Sequence, residues 1–99
     1  MSTYSPMQTI TQDATVVASI NQLSTFLDGE AIVLELESGA YYGLAQVGAR
    51  IWELLQQPTT CAHITETLYD EYDVARPALE ADVAAFVHEL WKNRLIEIM

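Results

Sequence analysis

The hydrophobic period of this chain changes at one junction, where the short extended run Ala40–Leu44 gives way to Val47–Leu55. From Val47 onward, Val47, Ile51, Leu54 and Leu55 fall on one helical stripe. Upstream, Glu30–Glu37 alternates, so that Ile32, Leu34 and Leu36 share one strand face and Ala31, Val33 and Glu35 the other. Ser38-Gly39 turns that strand into Ala40–Leu44, and Glu30–Leu44 therefore reads as a hairpin. Leu23–Leu27 precedes it as a candidate first strand, separated by the turn pair Asp28-Gly29. Thr15–Ile20 is rich in β-branched residues and suits an extended conformation.

The second half is helical in pattern. Helix one is expected over about Ala45–Gln57, with Pro58 ending it. Thr59 or Thr60 is a candidate N-cap for helix two, whose buried stripe would be Cys61, Ile64, Leu68 and Tyr72. Helix three begins near Pro77 and carries Leu79, Val83, Phe86, Val87 and Leu90. Its acidic Glu80 and Asp82 lie near the start and its basic Lys92 and Arg94 near the end, as the helix dipole favours. Asn93 is placed to end it in a left-handed conformation, and Leu95–Ile98 follows as an extended tail. Trp52 and Trp91 fall at the margins of their stripes. The expected fold is α+β: a three-stranded antiparallel sheet followed by three helices, with winged helix-turn-helix character. Residues 1–13 are expected to be a flexible N-terminus, and residues 14–99 a single domain.

Ninety-nine residues, 51% of them hydrophobic, suit one core and leave little room for a deep catalytic cleft. Four basic against fourteen acidic residues give a formal charge of −10. That balance disfavours nucleic acid and anionic membranes, because both are held by Lys and Arg. It is compatible with a neutral or basic protein partner, and equally with a charge that serves solubility alone. The single Cys61 leaves no internal disulfide, and no apolar run approaches membrane-spanning length. A cytoplasmic location is expected.

The search for chemistry gives no catalytic constellation. His63 and His88 stand apart, Cys61 falls on a buried stripe, and the carboxylates are scattered. No glycine-rich phosphate loop, metal site or cofactor is indicated, and the chain reads as a non-enzyme. Tyr41 and Tyr42 must point to opposite faces of their strand. The outward ring would suit a peptide anchor beside an open edge; equally, both rings would serve to close the sheet against the helices.

The ordered series DGEAIVLELESGAYYGL (Asp28–Leu44), VGARIWELL (Val47–Leu55), YDV (Tyr72–Val74) and DVAAFVHEL…RLIEI (Asp82–Ile98) resembles the PqqD-like family. These are the recognition elements of ribosomally made, modified peptides, and the likeness is greatest to stand-alone members from lasso peptide pathways. It covers about three quarters of the chain, from the first strand to the C-terminus. The resemblance implies a protein that binds the leader of a precursor peptide and presents it to a separate leader peptidase of the cysteine-protease type, ahead of a macrolactam-forming cyclase. It implies that the leader pairs as an added strand on Ala40, Tyr41, Tyr42, Gly43 and Leu44. The other wall of the groove would be the third helix, with Asp82, Phe86 and Glu89 lining it. Ala45 stands where relatives commonly place an Asn that caps helix one, a loss worth about 1 kcal/mol; Asn93 replaces a common Gly.

Rival readings are a winged-helix nucleic-acid binder, an acidic carrier protein and a generic interaction module. The charge weighs against the first, and the second lacks an Asp-Ser-Leu-like attachment site.

Overall fold

Asp28 and Gly29 both take positive φ, 53° and 79°, the two-residue turn that matches the twist of paired antiparallel strands. Around it, β2 (Gln22–Leu27) pairs with β3 (Glu30–Glu35) from Leu27↔Glu30 to Gln22↔Glu35. β3 then pairs with β4 (Tyr41–Ala45) from Glu30↔Ala45 to Leu34↔Tyr41. The expected hairpin and first strand are therefore present, in the order β2-β3-β4. The computed structural model describes residues 10–99.

Of the two faces of β3, the one bearing Ala31, Val33 and Glu35 is buried. Glu35 is only 2% exposed, yet its charge is well compensated. Its carboxylate accepts the Glu37 N–H at 2.8 Å, the Ser38 N–H at 3.0 Å and the Ser38 hydroxyl at 2.6 Å. These bonds, led by the Ser38 hydroxyl, hold its pKa below the usual carboxylate value. Glu35 thus organises the second turn, where Gly39 takes φ 76° and donates to the Glu35 carbonyl.

α1 (Val47–Leu54) is shorter than expected at both ends. Ala45 is held in the β4 ladder opposite Glu30, so the helix begins after Gln46, which takes φ 55° and provides no side-chain cap. Trp52 is not marginal, as its place on the stripe suggested, but fully buried. α2 (Cys61–Glu71) starts as expected, with the Thr60 hydroxyl accepting the His63 N–H at 3.1 Å. Its stripe buries Cys61, Ile64 and Leu68 but not Tyr72, which follows the helix in extended conformation. α3 (Arg76–Lys92) carries Pro77 in its first turn. Asn93 does not adopt the expected left-handed conformation; Arg94 does, at φ 64°, while Asn93 caps with its side chain, donating to the Glu89 carbonyl at 2.8 Å.

The segments expected to be extended at Thr15–Ile20 and Leu95–Ile98 pair in a second sheet, which the sequence pattern did not predict. β1 (Thr15–Ala18) lies between β5 (Thr59–Thr60) and β6 (Ile96–Ile98), joining the chain ends across the helices. Trp52, Leu55, Ile64, Leu68, Val83, Val87 and Leu95 form the centre of the core with Val16 and Val33. Burying each large aliphatic side chain contributes about 1.5–3 kcal/mol. Ile10 also joins this core, and the Gln12 carbonyl accepts the Ala62 N–H. Residues 1–9 of the expected flexible segment lie outside the described residues.

Candidate functional site: an open strand edge beside helix α3

β4 is an edge strand, with β3 as its partner on one side among the described residues. Register settles which backbone groups point outward. The Glu35 N–H donates to the Ala40 carbonyl at 2.9 Å, which makes Glu35↔Ala40 a bonded pair. Bonded and non-bonded pairs alternate in an antiparallel ladder, so Tyr42 and Leu44 spend their backbone groups on Val33 and Ala31. Those of Tyr41, Gly43 and Ala45 face away from the sheet, and no bond among the described residues takes them up. Such a row is a template for a further strand.

Beside this edge runs a groove of about 500 Å³. Gly43, Leu44 and Ala45 form one rim, and Val47, Gly48 and Ile51 of α1 contribute at its base. Tyr72 and Val74 from the link between α2 and α3 extend it, and Ala78, Leu79, Asp82, Val83 and Phe86 form the α3 wall. Asp82 is the one charged residue among these. Gly48 is needed for the shape: a Cβ there would lie 3.1 Å from Phe86 Cζ, so its absence lets the ring settle against α1.

Of the residues singled out from the sequence, Gly43, Leu44, Asp82 and Phe86 come together on this groove. Tyr41 stays beside it, 72% exposed, with its ring on the outer sheet face and its backbone on the open edge. Tyr42 points the other way; its half-buried ring packs on the core and its hydroxyl donates to Asn93 Oδ1 at 3.3 Å. Ala40 belongs to the turn, where its carbonyl is already engaged. Glu89 is absent from the groove lining and pairs instead with Lys92 at 3.4 Å. Sequence reasoning missed Ala45, Val47, Gly48, Ile51, Tyr72, Val74 and Ala78 as lining. The YDV run was visible, but only packing shows that it closes the groove.

The remaining reactive groups lie elsewhere. Cys61 is fully buried, which pushes its thiol pKa up. His63 is exposed at the start of α2, and the His88 ring lies 5.8 Å from that of Trp91. Among the described residues no cluster of His, Cys, Asp or Glu could hold a metal ion, and no helix is long and apolar enough to cross a membrane.

The family model for coenzyme PQQ synthesis protein D (PqqD) matches residues 30–96, from the start of β3 to the start of β6. The chain belongs to the PqqD family. Two solved structures resemble this PqqD-family protein over most of its length. TbiB1 in complex with the TbiA(beta) leader peptide is 36% identical, with a TM-score of 0.78 over 82% of this chain and 94% of that one. Lasso peptide synthetase B1 complexed with the leader peptide is 27% identical, with a TM-score of 0.74 over 83% of this chain and 96% of that one. No curated protein matches the sequence.

Proposed function

We propose that this protein is a non-catalytic recognition protein of lasso peptide maturation. It binds the leader of a ribosomally made precursor as an added β-strand on β4 and delivers it, in the cytoplasm, to a separate cysteine-protease-type leader peptidase and the cyclase. The observation that carries this reading is the pairing of an unfilled strand edge at Tyr41, Gly43 and Ala45 with an apolar groove walled by α3. Edge pairing supplies affinity with little demand on sequence, and the groove supplies selectivity for alternate side chains of the guest. The likeness to two leader-peptide complexes supports the same conclusion. An unbound leader must be ordered on docking, which offsets part of the gain. A Kd in the nanomolar to micromolar range follows, on the order of −8 to −12 kcal/mol.

Fluorescence anisotropy with a labelled TbiA(beta) leader peptide tests the proposal. Saturable binding at micromolar concentration or below, with none to random duplex DNA at low salt, is expected. Firm DNA binding without peptide binding would replace it with the winged-helix reading.

A further inference from the structure

The charge pattern of the groove suggests what its guest carries. Every lining residue except Asp82 is uncharged, and Asp82 has no ion-pair partner among the described residues. Its neighbours one turn away on the same side of α3, Ala78 and Phe86, are uncharged as well. Among the described residues no Lys or Arg is left without a carboxylate partner. The sequence contains four Lys and Arg residues, and each is committed to other carboxylates. Arg50 holds Glu53 and Glu71 at 2.8 and 2.7 Å, and Arg76 holds Glu66 and Glu80 at 2.8 and 3.5 Å. Lys92 holds Glu89 at 3.4 Å, and Arg94 holds Glu37 at 2.6 Å. A strand seated on β4 would pass along the wall bearing Asp82, whose carboxylate then loses water on its groove side. A guest cation at that register compensates the loss, and a guest carboxylate adds repulsion to it.

We infer that Asp82 is a specificity residue of the groove, selecting leader segments with a lysine or arginine at one fixed position of the bound strand. The inference rests on the peptide-binding reading above and adds a requirement to it. Backbone pairing sets the register of the guest, so the preference belongs to one position and not to overall charge. The protein's net charge of −10, by contrast, favours cationic peptides without regard to position.

Selection of a displayed library of random short peptides on the immobilised full chain tests this. Parallel selections use Asp82→Asn, Asp82→Lys and, as a control that does not line the groove, Asp70→Asn. Asp82 is exposed, so the substitutions should leave the melting curve unchanged. Wild type and Asp70→Asn are expected to enrich Lys or Arg at one position of the aligned peptides. Asp82→Asn should lose that enrichment, and Asp82→Lys should enrich Asp or Glu at the same place. A peptide selected on wild type should bind Asp82→Asn about fivefold more weakly at low salt, with the gap closing as salt is added. Equal enrichment on wild type and Asp82→Asn, or no positional preference among peptides that Gly43→Pro abolishes, overturns the role of Asp82 while leaving the groove intact. Failure of wild type to select any peptide overturns both.

Discussion

Tyr42 reaches from the inner face of β4 to Asn93, just past the end of α3, its hydroxyl donating to Asn93 Oδ1 at 3.3 Å. Asn93 in turn donates to the Glu89 carbonyl at 2.8 Å, so one amide side chain both caps the helix and holds the strand. The two walls of the groove are tied together at this end. Tyr42→Phe removes the bond with little change in packing and should cost about 0.5–1.5 kcal/mol. Thermal unfolding should register a fall in Tm of several degrees. An unchanged Tm would show the bond to be idle.

Proline placement separates the open edge from the ladder. Tyr42 and Leu44 donate inward to β3, so Tyr42→Pro or Leu44→Pro should unfold the hairpin. Gly43 turns its N–H outward, where an edge strand tolerates proline. Gly43→Pro should therefore keep a cooperative melt, read by circular dichroism, yet lose leader binding in anisotropy. Retained binding by a folded Gly43→Pro would argue that the guest sits elsewhere.

Gly48 and Phe86 set the depth of the groove. Gly48→Ala puts a methyl 3.1 Å from the Phe86 ring, which must shift by a few tenths of an ångström. Leader affinity should fall severalfold while the fold persists. Phe86→Ala, which empties part of the wall, should weaken binding by roughly 1–3 kcal/mol. Titration and melting of both variants distinguish groove from core. A large loss of Tm with unchanged affinity would assign Phe86 to stability alone.

Glu35 makes stability depend on acid. Its carboxylate titrates below 4.5 in the folded protein because the Ser38 hydroxyl and the Glu37 and Ser38 amides favour the charged form. The unfolded chain binds the proton more readily. The contribution is therefore complete above the unfolded value and is lost as pH falls through the lowered folded value. Glu35→Gln should be less stable at neutral pH and flatten the dependence of Tm on pH below about 4.5. Parallel pH curves for the two proteins would remove Glu35 from the explanation.

Local signals made much of this fold legible. Asp28-Gly29 marked the first turn, alternation marked β3, and the pair Thr59-Thr60 marked the start of α2, of which Thr60 makes the cap bond to a residue three positions on. The second sheet was not legible as a sheet, since Val16 pairs with Ile98 across nearly the whole chain and neither segment announces its partner. Trp52 lies at the margin of a one-sided stripe, yet α1 is covered on more than one side and buries it fully. At the site, the opposed directions of Tyr41 and Tyr42 followed from strand geometry alone. Which of them offers a free amide did not. That depends on the single bond from Glu35 to Ala40, which sets the parity of the whole ladder. The lining from Tyr72 and Val74 likewise required the packed position of a linker.

The sheet has two edges, and the outward amides of the far one belong by the same parity to Gln22, Ser24 and Phe26, since the Leu36 N–H bonds the Asn21 carbonyl. Residue-resolved amide hydrogen exchange, with and without a saturating leader peptide, compares the two borders in one experiment. Leader docking on β4 should slow exchange at Tyr41, Gly43 and Ala45 and leave Gln22, Ser24 and Phe26 unchanged. Bound peptide with no protection at those three β4 amides, or with protection on β2 instead, would contradict strand addition at this edge.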